Sequence, residues 1–258
     1  MSESSPEQVR GTMPLLEHFR ELRTRLFRSS IGIFLCGILG WVFYNQIVET
    51  LARPICNLKL KTVGSGSECG TLYINGVLGP LNLKISVAIF VGIILAAPIW
   101  IYQLWAFVSP ALKKKERRYS ALFFFLATPF FAVGVWFAYW ILPVAIEQIM
   151  GLTPSELGNL IRFDEYLVFV LKLLLVFGIA FELPVFLIAL NLMNIVSGRA
   201  MLRPWRYVVF GITLFSAIFV PTGDPFTMLL LAVPMWFFYF AAALIGVLHD
   251  NKWKLRIK

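Results

Sequence analysis

YLVFVLKLLLVFGIAFELPVFLIALNL, residues Tyr166–Leu192, is the most informative segment of the sequence for the fold. Only Lys172 and Glu182 carry a charge among its 27 residues. About 20 consecutive apolar residues are enough to carry an α-helix across the hydrocarbon core of a bilayer. The stretch therefore predicts a membrane-spanning helix, in which the two charged side chains require an explanation.

The composition of the whole chain agrees with a membrane protein. Of its 258 residues, 59% are hydrophobic and 14% are charged, and the mean hydropathy is +0.79. A typical soluble domain is about 45–50% apolar and about 25% charged. A soluble fold could not hide this much apolar surface, because burial is only about 75% complete even near 300 residues. The composition excludes a soluble monomer and a disordered chain, and it predicts an integral membrane protein.

Five further stretches of low charge predict additional helices. They are Ser29–Val48, Ile85–Leu104, Tyr119–Ile146, Tyr207–Gly223 and Pro225–Leu248. The period-two alternation of a membrane β-barrel is absent, so we predict an all-α integral membrane protein with six transmembrane helices. Helices five and six are expected to be short. The residues between Tyr207 and Val220 give only about 21 Å of helix, and Pro221–Pro225 then forces a tight turn.

The distribution of Lys and Arg predicts the orientation of the chain. Residues 1–28, the second-to-third and fourth-to-fifth connections and the tail together hold 17 of the 23 basic residues. The positive-inside rule places these segments and both termini in the cytoplasm. Topology thus explains the net charge of +9, and nucleic-acid binding is not expected. We predict a cytoplasmic N-terminal segment at 1–28, a transmembrane domain at 29–248 and a basic cytoplasmic tail at 249–258.

Cysteine and histidine usage limits the chemistry of the chain. Cys56 and Cys69 lie in the predicted first outer loop, where an oxidising compartment lets disulfides persist. We hypothesise a Cys56–Cys69 bridge, with two free thiols as the alternative. The two histidines, His18 and His249, lie on the predicted cytoplasmic side, and the motifs of zinc proteases, nucleotide-binding loops and serine hydrolases are absent. No enzyme activity, metal site or cofactor is expected.

Glu182 is the most unusual residue of the chain. An ionisable group at membrane depth is costly and normally faces a protein interior or a wet cavity, where it has a function. The alternative is a protonated side chain that satisfies a neighbouring backbone group, with Pro184 freeing a carbonyl nearby. Lys172 lies ten residues earlier, about 15 Å along the axis, and is expected to extend toward the outer interface.

Acidic residues at the predicted cytoplasmic face are a second group of candidates. Residues 14–28 predict an amphipathic helix on the inner interface, and this helix carries Glu21. Glu116 lies among basic residues in the second-to-third connection. A cationic ligand would find carboxylates for bidentate guanidinium contacts at this face. The alternatives are an i,i+4 pair of Glu21 with Arg25 and a solvated Glu116. Asp224 is also a good turn former.

Four separated motifs resemble the TatC family of the twin-arginine translocase, a family of bacterial protein-export components. They are His18–Leu26 (HFRELRTRL), Ala97–Arg118 with its YQLWAF and PAL segments, Phe177–Pro184 (FGIAFELP) and Pro221–Pro234. The resemblance covers nearly the whole chain, from about Met13 to Leu248. It implies six helices in a concave, cup-like bundle in the bacterial cytoplasmic (inner) membrane, with both termini inside.

The resemblance also implies a function. The chain would be the core receptor component of the twin-arginine export system, which recognises the twin-arginine signal peptides of folded proteins. Export would be driven by the proton-motive force, with no nucleotide hydrolysis by this chain. The implied partners are these peptides, the single-span subunits A and B, the lipid bilayer and further copies of the chain.

The functional positions of the family carry over to residues of this chain. The signal-peptide site is expected to comprise Glu21, Leu22, Arg23, Phe107, Leu112 and Glu116. Intramembrane polar or partner contacts are expected from Pro98, Glu182, Asp224 and Met228. Met228 departs from the Gln that some members have, and Lys113 stands where an aromatic residue is common. The cysteine pair of the first outer loop is not general to the family.

A secondary transporter or ion channel is the alternative function. Glu182 and Lys172 would then form a proton or ion relay within the membrane. Six spans without an inverted repeat, and a single central acid, argue against it. A membrane-embedded enzyme would need a catalytic cluster, which the sequence lacks.

Overall fold

The structure is a computed structural model that describes residues 15–57, 72–108, 117–151, 161–193, 195–219 and 225–256. These ranges form nine α-helices and two short strands. The helices are α1 (Leu15–Val42), α2 (Tyr44–Asn57), α3 (Gly79–Leu95), α4 (Ala97–Val108), α5 (Arg117–Gly151), α6 (Phe163–Leu192), α7 (Gly198–Leu202), α8 (Trp205–Phe219) and α9 (Pro225–Arg256). The strands are β1 (Leu72–Tyr73) and β2 (Ile161–Arg162).

Four of the described helices are long and apolar enough to cross a membrane. Their candidate spans are Phe19–Val42, Phe123–Gly151, Phe163–Leu192 and Pro225–Asp250. A fifth span results if α3 and α4 count as one bent crossing. The remaining predicted span corresponds to α8, whose 15 residues give about 22 Å of helix against a hydrocarbon core of about 30 Å. The helical class and the short fifth helix are therefore confirmed.

One prediction about the helices is wrong, and one predicted span is bent. The sixth helix is not short, because α9 has 32 residues and continues through much of the segment predicted as a separate tail. The second predicted span consists of two helices, since α3 and α4 meet at 56° around Ala96. Pro98 explains this break, since a proline inside a helix removes a backbone hydrogen bond and clashes with the preceding turn. Residue 28 lies within α1, and the boundaries predicted for the N-terminal segment and the tail stay predictions.

Helix α6 lies at the centre of the described bundle. It packs against α3, α5 and α9, and its Leu167, Val170 and Phe177 side chains are fully buried. A helix enclosed by other helices has no polar face, which explains its nearly continuous apolar sequence. Gly134 lets α5 approach closely, because a Cβ atom there would lie 2.7 Å from the carbonyl oxygen of Phe177.

One end of the bundle carries α2 and both strands, and we call it the sheet end. The two strands pair in parallel. The Tyr139 hydroxyl donates to the carbonyl oxygen of Thr50 at 3.1 Å, and the Tyr166 hydroxyl donates to that of Leu51 at 2.7 Å. These tyrosines of α5 and α6 fasten α2 to the bundle. The two-residue strands were not predicted, because so short a pairing has no sequence pattern of its own.

The cysteine prediction falls partly on the sheet end. Cys56 of α2 is disulfide-bonded, whereas Cys36 of α1 is a free thiol. Cys69 lies outside the described residues, so the Cys56–Cys69 pairing stays a prediction.

The other end of the bundle, which we call the opposite end, carries the start of α1, the end of α4, α7 and the last turns of α9. Asp250 of α9 accepts hydrogen bonds from the backbone N–H of Gly198 at 2.8 Å and from the Asn191 amide at 3.1 Å. The Tyr239 hydroxyl donates to the carbonyl oxygen of Met201 at 2.5 Å. These contacts hold α7 against α9 and thereby position the start of α8.

Candidate functional site

An open apolar groove of about 630 Å³ lies between α4, α5, α6, α8 and α9. Its wall is formed by Trp100, Ile101, Leu104, Trp105, Phe123, Ile179, Ala180, Glu182, Leu183, Phe186, Val208, Gly211, Ile212, Phe215 and Met235. Large aromatic and branched side chains therefore surround the space, and helix α8 forms one side of it. A surface of this kind accepts an apolar helix or peptide segment in preference to a polar solute.

Glu182 is the one ionisable side chain among the described residues that line the groove. Both of its carboxylate oxygens are buried, and neither has a hydrogen-bond partner within the described part of the chain. Buried polar groups almost always have partners, because leaving one unpaired costs about 1–3 kcal/mol. Glu182 is thus placed in the wall of the groove as an acceptor without a donor.

Trp105 provides a second unsatisfied group in the same wall, which the sequence did not single out. Its indole ring stacks on Phe123 with ring centroids 3.8 Å apart, and its Nε1–H is buried without an acceptor among the described residues. Trp105 and Glu182 thus line the groove, and their unpaired Nε1 and carboxylate oxygens are buried within its wall. The position of Trp105 within the YQLWAF segment was the available signal, although interface anchoring explained a tryptophan there equally well.

Glu21 forms the intrahelical pair that was considered as its alternative role. The Arg25 guanidinium approaches one Glu21 carboxylate oxygen through Nη2 at 2.5 Å and Nε at 3.0 Å. The side chain of Glu21 is 25% exposed, while Leu22 and Arg23 beside it are exposed. Glu21 is therefore partnered and still reachable, so a second guanidinium could compete for it.

The signal-peptide residues of the second-to-third connection lie at the limit of the described structure. Phe107 is half-buried in the last turns of α4, and α4 packs against α1, the helix of Glu21. Leu112 and Glu116 lie outside the described residues. The structure thus places the helices of Glu21 and Phe107 side by side at the opposite end, and the other two positions stay predictions.

The remaining intramembrane positions are not brought into the groove. Pro98 is half-buried at the bend between α3 and α4, and Met228 is half-buried in the first turn of α9. Neither residue lines the groove that contains Glu182. Asp224 lies outside the described residues.

Lys172 lies at a second cavity, of about 850 Å³, at the sheet end. The described residues that line this cavity and those that line the groove have none in common. Among the described residues, Lys172 and Glu182 thus lie at separate cavities. In the part of the chain that the structure describes, no three His, Cys, Asp or Glu side chains lie together as a potential metal site.

Comparison with known proteins assigns the chain to a family. Residues 17–234 match the family described as "Sec-independent protein translocase protein (TatC)". The TatC protein of Xylanimonas cellulosilytica is 37% identical over 94% of this chain and 87% of its own length. The protein of the same name from Frankia casuarinae is 35% identical over 93% of this chain and 67% of its own.

Solved structures agree with the sequence comparison. A crystal structure named "Twin Arginine Translocase Receptor- TatC in DDM" superposes with a TM-score of 0.76 at 30% identity, covering 89% of this chain and 99% of that one. A second structure of that receptor gives a TM-score of 0.72, also at 30% identity, over 90% of this chain and 98% of that one. The family match, the relatives and the helical fold lead to one conclusion: the chain belongs to the TatC family of Sec-independent protein translocase proteins.

Proposed function

We propose that this chain is the receptor component of a twin-arginine export system in a bacterial cytoplasmic membrane. It recognises twin-arginine signal peptides of folded proteins and assembles with single-span subunits A and B into a translocase driven by the proton-motive force. The opposite end faces the cytoplasm, so that both termini are inside and the sheet end is outside. Six crossings result when α3 with α4 counts as one span and the short α8 as another.

The groove with its unpartnered Glu182 is the observation that carries the proposal. The polar surface of a folded cargo protein does not bind an apolar groove inside a membrane. The apolar part of a signal peptide or a partner helix can pack against it. Polar groups between membrane helices act as hydrogen-bonding contacts. The unpaired groups of Glu182 and Trp105, which are buried in the isolated chain, supply an acceptor and a donor when a partner segment packs there. The groove therefore suits a helical or extended peptide partner that brings a polar group to this depth.

Recognition of the two arginines takes place at the cytoplasmic end of the groove. Glu21 and Glu116 supply carboxylates for guanidinium groups, which form bidentate charge-assisted hydrogen bonds. Phe107 adds a cation–π or apolar contact, and Leu22 and Leu112 pack against apolar residues of the peptide. A bound peptide arginine competes with Arg25 for the Glu21 carboxylate, while the neighbouring Arg23 helps orient the bound peptide.

Assembly with the single-span subunits uses the intramembrane positions. Glu182, Pro98, Asp224 and Met228 are the residues that contact partner helices, with Glu182 as the polar one inside the groove. Several copies of the chain operate in one larger complex. A polar group in hydrocarbon is satisfied only by another protein group, so partner binding stabilises the carboxyl group of Glu182 that the isolated chain leaves without a donor.

An export assay tests the proposal. In a strain of the source bacterium without this gene, we expect a folded fluorescent cargo with a twin-arginine signal peptide to stay in the cytoplasm. The intact gene should restore its export. Phe107→Ala and Glu116→Gln should each reduce export at least tenfold, because each removes a direct contact to the peptide.

The matched control is Glu147→Gln, which removes an exposed acid near the end of α5 at the sheet end. This variant should export the cargo normally. Normal export by both the Phe107 and Glu116 variants, at equal protein levels, would contradict the proposed peptide site.

A further inference from the structure

The cavity at the sheet end is lined by charged and polar side chains, whereas the groove is apolar. It lies between the turn at Asn75–Gly79, the first turns of α3 and the start of α6. Four charged side chains line it, namely Arg162, Asp164, Glu165 and Lys172. Asn82 and Ser86 of α3 add polar groups. Export and peptide recognition assign no role to this cavity.

The charge of Lys172 is not balanced by any described residue. Arg162 pairs with Asp164 and with Glu165, each at 2.7 Å, and the hydrogen bond from Arg162 to Asp164 raises the pKa of the guanidinium. Lys172, in contrast, makes no hydrogen bond or ion pair within the described ranges. It lies nine residues after the start of α6, about 13 Å along the axis. A lysine at this depth extends its ammonium group toward the level of the lipid headgroups.

Two further polar atoms at the cavity lack partners. Arg162 Nε, a donor, and Asp164 Oδ1, an acceptor, are both buried without a hydrogen bond to any described residue. Both atoms are enclosed by protein, so a ligand in the cavity reaches the exposed side chains of Lys172 and Glu165 instead. The two positive and two negative side chains of the lining cancel, which favours a ligand without net charge.

Helix α6 places a negative and a positive side chain of the cavity at different depths in the membrane. Glu165 is 67% exposed and lies seven residues, or two helical turns, before Lys172 on the same side of the helix. Lys172 is thus nearer the hydrocarbon and Glu165 nearer the water. A headgroup with its negative charge inward and its positive charge outward matches this order.

The rim of the cavity adds an apolar surface beside these charges. Gly76 has a φ of +76°, which a glycine adopts without strain, and the turn that it permits exposes Val77 and Leu78 by 97% and 64%. Val168 and Phe169 continue the apolar lining along α6. Apolar surface of this kind next to a charged pocket provides contact for hydrocarbon chains.

We infer that this cavity binds a zwitterionic phospholipid with a primary ammonium headgroup, from the leaflet at the sheet end. Its phosphate contacts Lys172, and its ammonium group donates to Glu165. The acyl chains lie along Val168, Phe169 and the turn at Val77. The site is independent of signal-peptide recognition, since it lies in a separate cavity.

Native mass spectrometry of the intact chain in detergent tests this inference. Phosphatidylethanolamine, phosphatidylcholine and phosphatidylglycerol with identical acyl chains are the probes. We expect phosphatidylethanolamine to bind most tightly, because phosphatidylcholine has no N–H donor and phosphatidylglycerol has no cation. Lys172→Gln should weaken its binding about tenfold, the effect of losing one charge-assisted hydrogen bond. Glu165→Gln should reduce the preference over phosphatidylcholine.

Two variants serve as controls. Lys172→Arg keeps the positive charge and should retain the lipid. Lys84→Gln removes a lysine of α3 whose ammonium group lies 4.4 Å from the ring centroid of Trp41 and does not line the cavity, so it should leave binding unchanged. Equal binding of the three lipids, or unchanged binding by the Lys172→Gln variant, would overturn the inference. Displacement of the lipid by an equal concentration of O-phosphoethanolamine, which has no acyl chains, would also overturn it.

Discussion

At the scale of single residues, Glu182 shows what sequence can and cannot predict. Its place in an apolar run predicted a functional acid, and the structure places it in the wall of a groove without a hydrogen-bond partner among the described residues. Trp105 could not be singled out in this way, because a tryptophan in an apolar helix has many structural roles. The sequence could not decide whether Glu21 pairs with Arg25, because the pairing depends on side-chain geometry. The structure shows that the two side chains form an ion pair.

Glu182→Leu separates stability from function. Removing an unpaired buried carboxyl group should leave the free energy of unfolding unchanged or raise it by about 1–3 kcal/mol. Partner assembly should fall, because the groove loses its polar contact. Thermal unfolding in detergent and co-purification of the single-span subunits measure the two effects. Glu147→Leu, the same change at an exposed position, should affect neither. A less stable Glu182→Leu variant with normal co-purification would contradict this role.

At the scale of secondary structure, hydropathy predicted where helices lie better than how they begin, end and bend. The long apolar run of α6 was sufficient to predict a buried helix. The break near Ala96 was missed, because Pro98 lies within an apolar stretch and some membrane helices tolerate proline. The length of α9 was also missed, since the charged residues 249–256 resemble a tail although they continue the helix.

Gly92→Ala tests the packing of α1 on α3. A Cβ atom at Gly92 would lie 2.7 Å from the carbonyl oxygen of Ile33 and 2.9 Å from Cα of Gly37. Backbone atoms cannot move aside as a flexible side chain can, so the variant should lose about 1–3 kcal/mol of stability. Gly211→Ala is the control, because nothing lies within 4 Å of its added Cβ atom. It should stabilise α8 by up to about 1 kcal/mol. Equal unfolding midpoints for the two variants would contradict this packing.

At the scale of the whole molecule, the groove and the sheet-end cavity could not be predicted from sequence. The groove takes residues from five helices between Trp100 and Met235, and only their tertiary packing brings them together. The family resemblance did predict the helical fold and the translocase family, because four short motifs in fixed order are specific even when the contacts between them are unknown. In the proposed receptor, Glu21 and Glu116 bind the arginines of the signal peptide, and the groove binds its apolar part.

Photocrosslinking from position 107 to a labelled twin-arginine signal peptide is the sharpest test of peptide recognition by this molecule. A benzophenone amino acid in place of Phe107 keeps an aromatic ring at the end of α4. We predict a crosslink to the twin-arginine peptide, at least tenfold less with a Lys-Lys peptide, and a similar loss when Glu116→Gln is added. Glu147→Gln should leave the crosslink unchanged. Equal crosslinking of both peptides, unaffected by Glu116→Gln, would contradict the proposal that this chain is the twin-arginine receptor.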